Sequence, residues 1–275
     1  MGLEFDNVNN KTIDLLRLIT SSTVRTKVFE SLGDCDKDLN QLKEETGLPG
    51  PNILHAIKDL ERGLLVVRTN GDYSLSNIGK ILVIPLTDLI NQIAMLSEQK
   101  EFWLSHNTDG IPDHMLKKIG KLYGCRIVTA PPEDIGKPHS ILLKRIKESK
   151  KVKAVTPIFH KDFLDLMDEL LASHASIQVV INDKILKKNL KKNGEPFLEL
   201  SKRENCSIWK NNNINLGFVV TEKFLAINLF TIGGLFDYGL SGLICDTQEA
   251  VEWGNKLFDY FLKTSSKITD FKKAV

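Results

Sequence analysis

The order of helix, turn, helix and hairpin between Leu39 and Leu75 constrains this chain more than any other feature. Asp38 can cap a helix whose inward side includes Leu42, and Gly47 ends that helix. A second helix follows, and an Asn-Gly pair, the strongest short signal for a hairpin, comes soon after it. Few small motifs other than a winged helix-turn-helix have this order.

The neighbouring segments complete the motif. Apolar spacing predicts two helices before Asp38, and Gly33 is expected to end the second of them in the left-handed conformation. The second helix of the motif begins at Pro51, and an apolar, β-branched run over Leu64–Thr69 predicts the first strand of the hairpin. Residues 1–75 are therefore predicted to form a winged helix-turn-helix domain.

A long helical pattern comes next. It begins at the capping residue Ser76, and its apolar stripe runs from Ile78 to Leu96, long enough to pack against a second copy of the chain. Pro85 predicts a kink or a restart. We assign residues 76–105 to a connecting and dimerisation helix, and we interpret residues 101–112 as a domain boundary because Gly and Pro appear there.

From about residue 106 onward, short apolar strands alternate with helices, which indicates βαβ units and a largely parallel sheet. The short link Thr221–Lys223 predicts an antiparallel hairpin near the end. Gly194 and Pro196 are expected to break the helix over Asp183–Leu200. The predicted fold is thus a two-domain α+β or α/β protein, whose C-terminal domain is a mixed sheet flanked by helices over residues 106–275.

Several stretches of this second half, taken in order, resemble one family. They are Phe102-Trp103-Leu104 through Gly110-Ile111-Pro112, Lys137-Pro138-His139, Val155-Thr156-Pro157-Ile158-Phe159-His160, Phe218-Val219-Val220-Thr221 with Phe224-Leu225, and Glu249-Ala250-Val251-Glu252-Trp253-Gly254 with Leu257-Phe258. The chain resembles archaeal winged-helix regulators of the ArsR-like class that carry a methanogenesis-regulatory-type C-terminal sensor domain. The resemblance implies a cytoplasmic, dimeric regulator of transcription whose α/β domain responds to a signal, and it implies no catalytic or ligand-binding residues.

The second helix of the motif is the predicted recognition helix for double-stranded DNA. Placing its apolar residues inward turns Pro51, His55, Lys58, Asp59 and Arg62 outward. The N-terminal half of such a helix usually reaches base edges, so Asn52 and His55 are candidates for base contacts. Lys58 and Arg62 are candidates for phosphate contacts, and the wing offers Arg68, Asn70 and Tyr73.

Charge limits the affinity that a single subunit can reach. Residues 1–100 hold 11 lysines and arginines against 14 aspartates and glutamates, a net of −3. No segment is strongly basic, so we predict modest affinity per subunit and binding as a homodimer. The same acidic balance supports an alternative, a winged-helix module that contacts protein instead of DNA.

An unknown small-molecule effector is the signal we favour, because ligands of open α/β sheets bind beyond the carboxyl ends of strands. Thr156, Phe159 and His160 lie at one such end, and Phe224 and Tyr238 are aromatic candidates for the lining, although a plain core role suits them as well. No metal is expected, since His106 and His114 stand eight residues apart and Cys35 has no close partner. No cofactor motif occurs.

An enzyme is the remaining alternative. The second domain is distantly similar to phospholipase-D-like domains, which carry His-x-Lys followed four residues later by Asp, twice. Here His160, Lys161 and Asp162 are adjacent and have no second copy, so we expect no catalysis. The four cysteines form no close pair and are expected to be small buried residues, and neither a signal peptide nor a membrane span is predicted, which favours a cytoplasmic protein.

Overall fold

The structure is a computed structural model that describes residues 10–131, 133–134, 136–160, 162–238 and 241–269. Its contacts divide the chain into two units, Met1–Ile90 and Asn91–Val275, so the division falls inside a long helix. The functional boundaries at residues 75 and 105 stay predictions. The two-domain fold class, a winged helix-turn-helix followed by a mixed sheet with flanking helices, is confirmed.

The first unit has the predicted order of elements. Its helices and strands are α1 (Asn10–Thr20), α2 (Thr23–Ser31), α3 (Leu39–Thr46), α4 (Gly50–Arg62), β1 (Val66–Thr69), β2 (Asp72–Leu75) and the start of α5 (Asn77–Glu98). Strands β1 and β2 pair antiparallel around Asn70 and Gly71, both at positive φ, as an Asn-Gly hairpin turn requires. The core of the unit includes Phe29, Leu42 and Ile53, none of them exposed.

Local capping explains where these helices begin and end. Asp38 and Gln41 form a capping box at the start of α3, and Gly47 ends it at φ +67°. Ser76 Oγ accepts the backbone N–H of Gly79 at the start of α5. The prediction that Gly33 ends α2 in the left-handed conformation was wrong, because the helix is capped by Leu32 in the right-handed region. A Cβ on Gly33 would lie 2.9 Å from the carbonyl oxygen of Glu30. Glycine is needed there for close approach.

The second unit contains the rest of the chain. After α5 come α6 (Lys100–Ser105), β3 (His106–Asn107), α7 (Asp113–Leu116), a 3-10 helix (Ile119–Leu122), β4 (Arg126–Thr129), α8 (Lys137–Lys147), β5 (Lys151–Thr156), α9 (Asp162–Ala172), β6 (Ser176–Asn182), α10 (Asp183–Ser201), β7 (Cys206–Asn211), β8 (Leu216–Thr221), β9 (Leu225–Thr231), β10 (Ser241–Cys245), α11 (Gln248–Lys263) and β11 (Ser266–Lys267). In the described part of the chain, these strands form one nine-stranded sheet in the order β11-β7-β6-β5-β8-β9-β10-β4, with β3 beside β9.

The sheet is mixed, and the expectation of a largely parallel one was wrong. Among the described strands, β5 pairs with β6 and β6 with β7 in parallel, and the remaining pairings of the sheet are antiparallel. The predicted hairpin between β8 and β9 is confirmed. Helix α11 covers one face of the sheet, whereas α8, α9 and α10 pack on the other. Each face of the sheet has its own apolar core.

Three further expectations change. Helix α10 runs through Gly194 and Pro196, which were expected to break it, and α5 does not restart at Pro85, where a kink stays a prediction. The stretch 101–112, interpreted as a boundary, carries α6 and β3 and packs within the second unit through buried Phe102 and Ile111. Its glycine and proline mark turns inside a folded unit.

The cysteines also differ from the prediction. Cys125 and Cys245 form a disulfide, with 4.3 Å between their Cα atoms. The antiparallel register of β4 and β10, in which Ile244 faces Arg126, places the two cysteines opposite each other. Of the other two, Cys206 is buried and Cys35 is exposed, so the expectation of four unpaired buried cysteines was wrong.

Candidate functional site

Helix α4 presents an exposed polar face over a fully buried apolar one. Its inward residues Ile53, Ile57 and Leu60 are at most 2% exposed, and they fix the rotation of the helix against α2 and α3. The outward residues include all four predicted contacts of this helix: Asn52, His55, Lys58 and Arg62. The face is accessible along its whole length, as a helix that enters a DNA groove requires.

Asp59 does not belong to that face, although it was predicted to point outward. Its side chain is 17% exposed, and its Oδ2 lies 3.0 Å from Nη1 of Arg25 on α2. Arg62 Nη1 and His55 Nδ1 each lie 3.5 Å from the same carboxylate. Asp59 therefore ties α4 to α2, and Arg25 neutralises its negative charge, which would otherwise repel a phosphate at the exposed face.

The wing contributes two of its three predicted residues to the surface. Arg68 and Asn70 are exposed, whereas Tyr73 is 5% exposed and belongs to the core. The guanidinium of Arg68 lies 5.5 Å from the centre of the Tyr73 ring, which holds it across the hairpin. A positive group thus stands close to the hairpin tip, beside Asn70 at φ 55°.

Helix α5 carries an exposed apolar stripe. Ile78, Ile81, Leu89, Ile93 and Leu96 are each at least 42% exposed, and at 100° per residue they fall within an arc of about 120°. By length and composition α5 is also able to cross a membrane, with a mean hydropathy of 1.4 and 22% of that stretch buried. One such helix is weak evidence for a membrane protein, because core helices of soluble proteins and signal sequences pass the same test.

An apolar cavity lies between the sheet and the helices α8 and α9. Its interior volume is about 90 Å³. Its walls are mostly aliphatic and phenyl groups, with polar side chains at Thr156, Asn228 and Tyr238. Such a lining suits a hydrocarbon-rich molecule whose polar groups are few.

The structure distributes the predicted ligand residues unevenly around this cavity. Thr156, Phe159 and Tyr238 line it. His160 stands beside it, with its ring centre 6.2 Å from that of Tyr238. Phe224 is 1% exposed and lies under Arg145, whose guanidinium carbon is 4.6 Å from the ring centre, so it is a core residue outside the lining.

A cluster of polar rings stands next to the cavity. His139 on α8 lies between Tyr238 and Asp162: its Nδ1 faces the Tyr238 hydroxyl in a short hydrogen bond, and its Nε2 is 3.3 Å from Asp162 Oδ2. His160 Nδ1 is 3.3 Å from the same carboxylate oxygen. Burial, followed by the negative charge of Asp162, raises the pKa of Tyr238 well above its usual value, so its phenol stays neutral.

His139 and Asp162 were not singled out as ligand-site residues by sequence reasoning. They come from different helices, and no local spacing relates them, because they meet only when α8 and the β5–α9 connection pack together. A His-Lys-Asp run at the end of a strand was the available signal. Its interpretation as a helix start is supported by the backbone N–H of Asp162, which donates to His160 Nδ1 over 3.4 Å; Lys161 lies outside the described residues.

The chain joins a winged helix, whose α4 has an exposed polar face, to an α/β domain with an internal cavity, an arrangement that suits the class of two-domain transcriptional regulators. Comparison with known families supports that class. The N-terminal domain of the methanogenesis regulatory protein FilR1 matches residues 13–94, and the middle domain of the same protein matches residues 135–264. The chain belongs to the family of the methanogenesis regulatory protein FilR1.

Individual relatives are more distant. The chain is 27% identical over 261 residues to the methanogenesis regulatory protein FilR1 of Methanothrix harundinacea (strain 6Ac), a match that includes 93% of this chain and 58% of that protein. The chain thus spans less than two thirds of that relative's length. Among solved structures, the archaeal chromatin protein TrmBL2 aligns at a TM-score of 0.42 with 10% identity, over 92% of this chain and 98% of that one. An IclR transcriptional regulator from Alicyclobacillus acidocaldarius aligns at 0.25 with 13% identity, over 86% and 93%.

Proposed function

We propose that this protein binds operator DNA as a homodimer, and that a hydrocarbon-rich small molecule in its α/β domain changes that binding. The observation that carries the proposal is the polar face of α4, exposed over a buried apolar face, together with the exposed Arg68 and Asn70 of the wing. Asn52 and His55 would read bases, and Lys58, Arg62 and Arg68 would contact phosphates.

A dimer supplies what one subunit lacks. Residues 43–80 hold five lysines and arginines against five aspartates and glutamates, so one recognition surface offers little net attraction for DNA. The stripe on α5 from Ile78 to Leu96 is the surface that a second copy would cover, because it extends over about 27 Å at 1.5 Å per residue. Two recognition helices would then read half-sites about one turn of DNA apart.

The effector step rests on the cavity. A molecule there would touch α8 and α9 on one side and strands β5 and β8 on the other. It would alter DNA binding to the extent that it binds the two states of the dimer with different affinity. No residue of the cavity is assigned a catalytic task in this mechanism, in keeping with a regulatory family.

Selection of genomic fragments by the purified protein at two salt concentrations tests the proposal. We expect a few promoter fragments to be enriched, and the pair Lys58→Ala with Arg62→Ala to weaken all of them. A matched control removes the same charge elsewhere, through exposed Lys118 and Lys188. If the variant without Lys58 and Arg62 enriches the same fragments as the control variant does, the proposal that α4 contacts DNA is refuted.

The protein-interaction alternative makes a different prediction. Its support is the acidic balance of residues 1–100, a net charge of −3, which gives little attraction for a phosphate backbone. A protein that stays folded and dimeric, but binds no DNA at low salt with or without cell extract of small molecules, would favour it. The enzyme alternative would require turnover of phosphodiesters that is lost in His160→Ala.

A further inference from the structure

Two imidazoles and one carboxylate converge beside the mouth of the cavity. His139 is the third residue of α8, whereas His160 and Asp162 stand where β5 passes into α9. One donor atom of each side chain lies within 4.8 Å of the other two. Two of the three separations, from Asp162 Oδ2 to His139 Nε2 and to His160 Nδ1, are both 3.3 Å.

These separations match a transition-metal site. In a tetrahedral site with metal–ligand bonds of about 2.0 Å, the donor atoms stand about 3.3 Å from each other. Each histidine nitrogen therefore stands at the distance from Asp162 Oδ2 that two ligands of one ion have. Two imidazoles and one carboxylate suit Zn²⁺, Co²⁺ or Fe²⁺, and they suit Mg²⁺ and Ca²⁺ poorly, because those ions prefer oxygen ligands.

One existing contact of the cluster would be exchanged for the metal. The backbone N–H of Asp162 lies 3.4 Å from His160 Nδ1, at the long end of the hydrogen-bond range. A neutral imidazole nitrogen has a single lone pair, so an ion on Nδ1 would replace this contact. The Asp162 carboxylate oxygen stands 3.3 Å from the same nitrogen, and a cation between the two atoms would attract both.

His139 has the second contact that metal-binding histidines usually have. Its Nδ1 is paired with the hydroxyl of Tyr238, which orients the ring and leaves Nε2 directed at Asp162. Phe163 and Tyr238 shield the cluster on the cavity side. The Phe163 ring centre lies 6.2 Å from that of His139, and the Tyr238 ring centre lies 6.2 Å from that of Phe163. The side chains of His160 and Asp162 are 41% and 37% exposed, which leaves a path for an ion.

We propose that His139, His160 and Asp162 bind one divalent transition-metal ion of the zinc class, with Tyr238 as a positioning residue for His139. Three protein ligands leave one tetrahedral position open. That position stands next to the cavity, so a water molecule or the polar end of a cavity ligand would complete the site. The site does not depend on DNA binding, and the test below is read without DNA.

The test uses the full chain, freed of metal with a chelator and desalted. Co²⁺ is titrated while its visible absorption is followed, and Zn²⁺ is then added to displace it. We expect one Co²⁺ per chain with the intense bands of a tetrahedral site, and complete displacement by one equivalent of Zn²⁺. His160→Ala and Asp162→Asn should each weaken binding by more than 100-fold, and Tyr238→Phe by about 10–100-fold.

Two controls separate this site from other ligands of the chain. His174 is exposed at φ 62°, so His174→Asn keeps its backbone conformation, and Cys35→Ser removes an exposed thiol. Both should leave the Co²⁺ spectrum and stoichiometry unchanged. Stoichiometric binding that is lost in either control, or that persists in His160→Ala, overturns the proposal, and so does a chain that takes up no Co²⁺ or Zn²⁺. Thermal unfolding of each variant confirms that it is folded.

Discussion

His106 and Asp237, 131 residues apart, form a buried pair with 2.9 Å between Nε2 and Oδ2. Their side chains are 5% and 9% exposed. His106 Nδ1 lies 2.8 Å from the carbonyl oxygen of Phe102, so one ring nitrogen faces the carboxylate and the other faces the backbone. The pair fastens the corner between α6 and β3 to the segment that leads into β10.

Removal of His106 should therefore destabilise the second unit strongly. His106→Ala takes the imidazole partner from the buried Asp237 carboxylate, and removing one partner of a buried polar group costs about 1–3 kcal/mol, more where the group is charged. Denaturant unfolding of the unaltered protein and of His106→Ala would measure this loss of stability. His114→Ala, at an exposed position, is the matched control and should change stability by less than about 0.5 kcal/mol. A His106 variant as stable as the control would show that the pair contributes nothing.

This pair shows why sequence reasoning succeeds for some elements and not for others. The capping box of Asp38 with Gln41 and the turn at Asn70 are set by residues within four positions of each other, so the motif of the first unit was predictable. His106 and Asp237 meet only through the pairing of β3 with β9, and nothing near either residue announces the other. Strand β10 was missed because its five residues include a glycine and show no alternation of burial.

The candidate site divides in the same way. Helical periodicity alone placed His55, Lys58 and Arg62 outward, but it could not show that Asp59 turns towards Arg25 of α2. The cavity and the cluster at His139 depend on how α8 and α9 settle on the sheet. Their ligand chemistry is therefore visible only in the folded unit.

The disulfide should contribute to the stability of the second unit. Cys125 and Cys245 are 120 residues apart, and closing a loop of that size lowers the entropy of the unfolded chain by an amount worth about 5 kcal/mol at most. Reduction should shift the denaturant midpoint downward. The double variant Cys125→Ala with Cys245→Ala should show the lower midpoint with and without reductant. Equal midpoints for the oxidised and reduced protein would mean that the bond makes no contribution.

The two remaining cysteines should differ sharply in reactivity. Burial raises the pKa of the Cys206 thiol to about 11, so at pH 8 it is a neutral and inaccessible thiol, whereas Cys35 is exposed. Alkylation with iodoacetamide in the native state, followed by mass spectrometry, should label Cys35 and spare Cys206. Unfolding under the same conditions should expose Cys206 to label. Equal labelling of both in the folded protein would contradict the packing around β7.

Charge-removing and base-reading variants of α4 should affect DNA binding in different ways. Lys58→Ala with Arg62→Ala should weaken binding to all selected fragments alike and reduce the slope of log affinity against log salt by about 2, one for each phosphate contact. Asn52→Ala should cost about 1–3 kcal/mol on the preferred fragment and little on unrelated DNA, because it removes a contact to a base edge. Fluorescence anisotropy at several salt concentrations measures both quantities. If Asn52→Ala weakened specific and unrelated DNA equally, Asn52 would be a backbone contact, and the reading of bases would have to come from His55 or from the wing.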